Sequence, residues 1–588
     1  MTKNKVKFDF VPTSYQEKFF DFVEHGVGNG VIKATAGSGK TTTAIASMKL
    51  IPKEQRILFI SFNRSIAQEI SSKLKNRKGA FAKTTHQLGF SIIKANLGSD
   101  IEVDEYKYRK YVKANIGDLT TTCGEIKTQR QVAQYIDNIT ALINFSRFNL
   151  AQSEKEINEV AQRYSIPVSF DECVVAKKCL EWGKENTETI DYTDMIWLPV
   201  ELSMRTIGNN YDWVFFDEAQ DASLCTIQLF LKCIKRGGRF VAIGDDLQSI
   251  NMFAGASEEA FKFLQEYPNT TLFDLPITYR CAKTIVSFAN SFAPDMQARE
   301  DAPEGIIKNN CHITDIKEGD MVLARTKSPL VKLYVKLLRK GVNSYIKGLD
   351  IGKNMIKVLE NINCEELNVD MDKDGVFVRL YNNLFEERNK LMQTRGLDFD
   401  DATLSSFIMD KYDTINALMI LAEKRKTKTD LIEHIEEIFQ ENSKGVCLST
   451  IHKAKGLESE NIYILCHSTM PSKLAVYDWE KKQEYNLMYV AYTRAKNMLG
   501  FVSEREIKPD GSSMDPMEII NELAFIEQKV CAILGKEPME RLGNIDLSRF
   551  KLQNMSKIED IHKDDNVVVM KHNNKDNDLL DELENLLK

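Results

Sequence analysis

The sequence predicts an α/β protein built on parallel sheets, and three stretches carry that reading. An apolar pair, Val31-Ile32, leads into Ala34-Thr35-Ala36-Gly37-Ser38-Gly39-Lys40-Thr41, and a helical pattern runs on from Thr41 to Leu50. A second apolar run, Trp213 to Phe216, ends in the carboxylates Asp217 and Glu218. A third, from Arg239, ends in Gly244-Asp245, with Gln248 three residues beyond. Short apolar runs that end in polar residues read as strands buried on both faces, with chemistry at their C-terminal edge.

Each of these elements has a physical use. Small residues at positions 36, 37 and 39 let backbone N–H groups curl round a polyphosphate. The helix that follows adds the partial positive charge of its N-terminus. Lys40 is then expected to reach the β- and γ-phosphates, and the Thr41 hydroxyl to ligate Mg²⁺. Asp217 is expected to hold the Mg²⁺ shell and Glu218 to orient and deprotonate a water. An amide at Gln248 is expected to touch both γ-phosphate and water, and so to sense whether ATP has been cleaved. The strict loop pattern asks for Gly at the first position, where this chain has Ala34.

Bulk properties narrow the class. The chain has 588 residues, enough for several domains, with 43% apolar and 28% charged residues. No apolar run reaches the ~18 residues of a membrane span, and the N-terminus lacks the apolar core of a secretion signal. The eleven cysteines are scattered without metal-binding spacing, so reduced, buried thiols in a cytoplasmic protein are expected. A net charge of -7 gives no global sign of nucleic-acid binding, although a local groove can still be basic.

The ordered set of motifs resembles the UvrD/Rep-type superfamily 1 DNA helicases over about residues 13 to 502. Thr13 to Gln16 is similar to the Q-motif, Ile57 to Arg64 to motif Ia, and Thr84 to Leu88 to motif Ib. Ile190 to Met195 resembles the segment before motif II. Leu275 to Arg280 resembles motif IV, and Val322 to Lys327 motif IVa. Leu448 to Glu458 resembles motif V, and Glu484 through Ala495 motif VI. In its motor the chain looks most like the F-box DNA helicase subgroup, without the F-box itself.

The resemblance implies two RecA-like domains, each with a mainly helical insertion. The first comprises residues 1–87 and 185–274, with insertion 1B at 88–184. The second comprises 275–350 and 445–505, with a reduced insertion 2B at 351–444. A C-terminal extension, 506–588, is expected to be partly disordered, with a helix near Glu518–Leu534. Its last residues, Leu579 to Leu587, form an acidic amphipathic stretch that could dock a protein partner. Helices are expected over Ile126–Phe145 and Phe170–Asn186 in 1B, and over Val376–Thr394, Ala402–Lys424 and Lys428–Gln440 in 2B.

By resemblance, residues 34–42, including Thr35, Ser38 and Thr42, bind ATP. Gln16 reads the adenine edge and Tyr279 stacks on the base. Arg280 and Arg494 approach the γ-phosphate from the second domain, and Glu458 lies near the ribose or couples nucleotide to motif V. Phe62, Asn63, Thr84, His86, Phe253, Thr450 and His452 fall at DNA-contacting positions. Asn251 and Ala254 replace the usual aromatic and arginine of motif III, which predicts a weaker grip on the strand. The implied activity is an ATP- and Mg²⁺-dependent DNA helicase moving 3′ to 5′ on single-stranded DNA and acting at single/double-strand junctions, in the cytoplasm of a bacterium or phage-infected cell. Two alternatives stand beside it: a translocase that strips proteins from DNA without efficient unwinding, and an ATPase subunit gating a larger DNA-processing or defence complex.

Overall fold

The computed structural model describes residues 8–538, apart from 62–63, 76, 117–128, 251–254, 256–257, 396, 440–443, 474, 476–477 and 507–515. Phe62, Asn63, Phe253, Asn251, Ala254 and the proposed tail helix from Leu579 lie outside the described residues.

Two six-stranded sheets organise the chain, and every strand pair in both is parallel. The first contains β1 (Asn29–Ala34), β2 (Ile57–Ser61), β3 (Ala80–Thr84), β4 (Tyr211–Phe216), β5 (Ile234–Gly244) and β6 (Thr270–Leu275), in the order β3-β2-β4-β5-β1-β6. The second contains β7 (Ile306–Cys311), β8 (Met321–Ala324), β9 (Ser344–Ile346), β10 (Val446–Thr450), β11 (Ser459–Ile464) and β12 (Ala495–Val502), in the order β7-β12-β11-β8-β10-β9. Strands β2, β8 and β10 are buried along their whole length. Their runs of Ile, Leu, Val and Phe suit a sheet with helices on both faces. These are two RecA-like α/β domains, as the sequence predicts.

Register fixes which residues meet. Lys33 pairs with Gly244, and Phe216 with Ala242. The ends of β1, β4 and β5 therefore share one edge, and Ala34, Asp217 and Asp245 emerge there together. In open parallel sheets such a carboxyl edge is where ligands bind.

Helices fill the long connections. Between β3 and β4 run Gln129–Asn149, Glu154–Arg163, Phe170–Glu185 and Tyr192–Glu201. Between β9 and β10 run Leu349–Glu360, Val376–Arg395, Phe399–Leu404, Ser406–Leu421 and Lys428–Ile438. The single helix expected over Ala402–Lys424 is two, because Ser405 breaks it and caps the second through its side chain, which accepts from Ile408 N–H. The helix Pro516–Leu534, which the sequence places in the tail, packs its Ile519, Leu523, Ile526 and Val530 into the same core as these helices. Glu527 on it accepts a 2.7 Å hydrogen bond from Arg388, and both are buried.

The segment Ile190–Met195 also acquires a structural account. Asp191 caps the helix Tyr192–Glu201, and Asp194 closes the capping box. Both carboxylates receive Arg147, at 2.7 Å each, from the helix Gln129–Asn149. Asp194 also accepts from Lys107 Nζ at 2.8 Å and Tyr108 Oη at 2.9 Å. This buried charge cluster ties together the helices Lys107–Ala114, Gln129–Asn149 and Tyr192–Glu201.

Candidate nucleotide site and strand edge

The loop after β1 has the geometry that its glycines allow. Gly37 and Gly39 have φ of +72° and +75°, a region costly for other residues. Gly39 caps the helix Lys40–Met48 without a side-chain bond, which leaves the first N–H groups of the helix facing the loop. Ala34 closes β1 in register with Leu275 and has no positive φ. Its methyl group is tolerated because the strained positions are 37 and 39. The Thr35 hydroxyl is used inward, on the carbonyls of Leu275 and Pro276 at 3.2 and 3.1 Å. Thr42 is exposed.

The carboxylates stand beside the loop. Thr41 Oγ1 donates to Asp217 Oδ2 at 2.8 Å, and Lys40 Nζ lies 3.6 Å from Glu218 Oε1. Burial opposes the charge on Lys40, but Glu218, Asp245 and Asp217 outweigh it and hold its pKa above the ordinary value. Burial raises Asp217, and the neighbouring Glu218 charge adds to the rise. Burial would raise Glu218 too, but Lys40 and Lys455 win and keep it ionised. Glu218 sits at φ +55°, a strained backbone for glutamate that turns its side chain back towards Lys40. Two oxygen donors, the Thr41 hydroxyl and a carboxylate destabilised by burial, fit a hard cation such as Mg²⁺.

A chain of amides links these groups. Gln220 Nε2 donates to Glu218 Oε2 at 2.5 Å, while Gln220 Oε1 accepts Asp245 N–H at 3.1 Å. Gln248 Nε2 donates to Asp245 Oδ2 at 2.5 Å. Burial pushes the Asp245 carboxyl up to about 6.

The second domain closes on the loop. Tyr279 N–H donates to Gly37 O at 2.8 Å. A Cβ on Gly37 would come within 2.6 Å of Arg280 Cβ, so glycine is needed for the approach as well as for φ. Arg280 Nε donates to Glu458 Oε2 at 2.7 Å, and Lys496 Nζ lies 2.9 Å from the other oxygen. Arg494 is 1% exposed and donates to Gln248 Oε1 at 3.3 Å. Burial, with Arg280 nearby, lowers its pKa to about 10, which still leaves it charged at neutral pH. Thr13, Gln16, Ser38, Pro276 and Tyr279 line a slot at the side of the loop. Gln16 is fixed there by Thr43 Oγ1 at 2.8 Å, and Tyr279 is 42% exposed, with the Arg299 guanidinium 5.8 Å from the centre of its ring.

Comparison with known proteins matches residues 16–268 to the UvrD/REP helicase N-terminal domain and residues 354–506 to the UvrD-like helicase C-terminal domain. The chain belongs to the UvrD/Rep helicase family. It is 22% identical to a Mycoplasma pneumoniae protein named "Probable DNA helicase II homolog", over 86% of this chain and 87% of that one. It is 22% identical to F-box DNA helicase protein 1 of Schizosaccharomyces pombe, over 80% and 55%. It is 25% identical to ATP-dependent DNA helicase Rep of Escherichia coli, over 46% and 41%. The chain thus spans about half the length of the last two.

In this UvrD/Rep helicase the remaining candidates lie at strand ends. Thr84 ends β3 opposite Ser61 and caps the helix Thr85–Leu97, accepting from Gln87 N–H at 3.2 Å. His86 is exposed, edge-on to Tyr192. Thr450 ends β10 opposite Ala324. His452 follows, and burial together with the charges of Arg325, Lys327, Lys453 and Lys455 holds its pKa well below 6.5. Among the described residues, no helix is long and apolar enough to cross a membrane.

Three further residues at the domain junction had no role in the sequence reading. Lys455 Nζ contacts Asp221 Oδ2 and the Gln248 carbonyl, both at 2.5 Å. Asn486 Nδ2 donates to the carbonyls of Asp246 and Ser249. Tyr489 Oη accepts the Ala36 N–H at 2.9 Å. All three lie inside motifs V and VI, which was the available signal. Their partners lie more than 200 residues away in sequence.

Proposed function

We propose that this chain hydrolyses ATP with Mg²⁺ at the junction of its two RecA-like domains, and that each cycle moves it 3′ to 5′ along single-stranded DNA and into duplex. One observation carries the reading. Lys40, Asp217 and Glu218 stand beside Asp245 at the carboxyl edge of the first sheet, Arg280 and Arg494 come from the second domain, and Gln248 bridges Asp245 to Arg494. Such a split site makes hydrolysis depend on domain closure, which is how turnover becomes movement.

The roles follow from the chemistry. Lys40 and the loop amides hold the polyphosphate, and Thr41 with Asp217 would hold Mg²⁺. Bound there, the ion neutralises charge on the β- and γ-oxygens. Glu218, kept ionised by Lys40, takes a proton from water as its oxygen bonds to the γ-phosphorus and the bond to the ADP oxygen breaks. Arg280 and Arg494 meet the charge that spreads over the phosphoryl oxygens. Gln16 and Tyr279 hold the adenine, and Glu458 orients Arg280.

On the DNA side, we assign Thr84, His86, Thr450 and His452, with Phe62, Asn63 and Phe253, to the single strand. The places of the first four at or just after strand ends support that assignment, while Arg325, Lys327 and Lys455 near His452 are already paired with Glu484, Asp410 and Asp221. We keep the partition into 1–87 with 185–274, 88–184, 275–350 with 445–505, 351–444 and 506–588 as the working description of the domains.

Strand separation on tailed duplexes tests this. Unwinding of a 3′-tailed duplex and not of a 5′-tailed one is the expected result. Unwinding only from a 5′ tail would overturn the polarity, and movement without strand separation would favour the protein-stripping translocase.

A further inference from the structure

Tyr489 lies in the helix Asp478–Tyr492 of the second domain, five residues before Arg494, and is fully buried. Its hydroxyl reaches across the domain junction. It accepts the backbone N–H of Ala36, inside the phosphate loop, at 2.9 Å. It donates to Asp245 Oδ2 at 3.4 Å. That same carboxylate oxygen accepts from Gln248 Nε2, and Gln248 Oε1 accepts from Arg494 Nη2. The circuit closes on its own helix, because Arg494 Nε donates to the Val490 carbonyl at 3.0 Å. One helix therefore holds both ends of a polar ring, and the phosphate loop is fastened to that ring by a single bond.

We propose that Tyr489 is a positioning residue for hydrolysis, whose hydroxyl ties the phosphate loop to the helix that leads to Arg494, so that loop shape and arginine placement are set together. The inference rests on the reading of this junction as an ATPase site. The phenol suits the task. It accepts from the loop and donates to the carboxylate with the same oxygen, and phenylalanine can do neither. Burial keeps its proton on. The bond goes to the backbone of residue 36 rather than to a side chain, so it depends on where the loop lies and not on which residue stands there. A ring anchored on the loop side and the arginine side has few ways to shift by an ångström, and misplacement on that scale can cost about 10²-fold in rate.

The test is Tyr489→Phe in the full chain, which removes one oxygen and keeps the ring. The expected result is a kcat for DNA-stimulated ATPase lower by about 10²-fold, with affinity for a non-hydrolysable ATP analogue changed by less than about threefold. Arg494→Ala should then cost much less in the Tyr489→Phe background than alone, because the two act through one ring. Amide exchange of the loop peptide containing Ala36 should accelerate, a readout independent of turnover. Tyr492→Phe is the control. That hydroxyl is also buried on the same helix but pairs with His467 Nε2 at 2.8 Å, so kcat should hold. An active wild type with an unimpaired Tyr489→Phe, or a loss that multiplies fully with Arg494→Ala, overturns this inference alone. A wild type without turnover removes the ATPase reading and this inference with it.

Discussion

The ammonium of Lys40 stands 3.6 Å from the carboxylate of Glu218, so the loop's lysine and the proposed base share one field. Lys40 is 10% exposed and Glu218 31% exposed, which leaves little solvent to screen them. Two substitutions separate their roles. Glu218→Gln removes the base but keeps the phosphate cradle, so turnover should fall by about 10²–10⁴-fold with nucleotide binding retained. Lys40→Ala should lose both. Steady-state ATPase assays beside titration with a fluorescent nucleotide would show the difference.

In the proposed mechanism Arg494 and Arg280 act from the other domain. An arginine supplied across a junction in this way is worth about 10³–10⁵ in rate, so Arg494→Ala should lose turnover on that scale. Arg494→Lys should recover little, since an ammonium cannot make two parallel contacts with phosphoryl oxygens. Glu458→Gln should give a smaller loss, because Arg280 loses its 2.7 Å charged partner but keeps the Thr493 carbonyl. Single-turnover kinetics would rank the three.

Asp245 predicts a pH dependence. Its carboxyl is pushed up to about 6 from an ordinary 3.8, mainly by burial. The folded chain therefore binds this proton more tightly than the unfolded chain does. The stability it brings is complete below 3.8 and is lost as pH rises through about 6. Asp245→Asn should raise Tm most above pH 6 and match wild type at the acid end. Activity runs the other way, because protonation weakens the acceptor for Gln248 and Tyr489. Wild-type kcat should fall as pH drops through about 6, and Asp245→Asn should flatten that limb.

Arg147 predicts a stability effect far from the nucleotide. It is 1% exposed between Asp191 and Asp194, and Asp194 is fully buried. Arg147→Ala would leave buried Asp191 without its guanidinium and Asp194 with Lys107 as its remaining cation, at a cost of about 3–5 kcal/mol. Urea denaturation should show it. A loss of under about 1 kcal/mol would place the cluster with exposed ion pairs instead.

The nucleotide half of the site was legible because its residues are close in sequence and bound to one geometry. A strand, a loop with glycine at 37 and 39 and a helix leave few alternatives, and a strand ending in Asp217-Glu218 leaves few more. The second half was legible only as motifs. Nothing local to Tyr489 shows that its hydroxyl meets Ala36, because the contact exists only after two sheets pack. Arg147 looked like any polar residue of an insertion helix, since its partners lie 44 and 47 residues on. The helix Pro516–Leu534 was readable by its periodicity, but its place beside Arg388 and Phe399 was not. The break at Ser405 is a capping choice that an unbroken apolar pattern conceals.

The most direct measurement of the central claim is ATPase activity of the full chain with and without single-stranded DNA, for wild type and Arg494→Ala. The account predicts many-fold stimulation by the strand in wild type and its loss in the variant, with ATP still bound. Turnover indifferent to DNA, or undiminished without Arg494, would contradict a site that is completed only when both domains close.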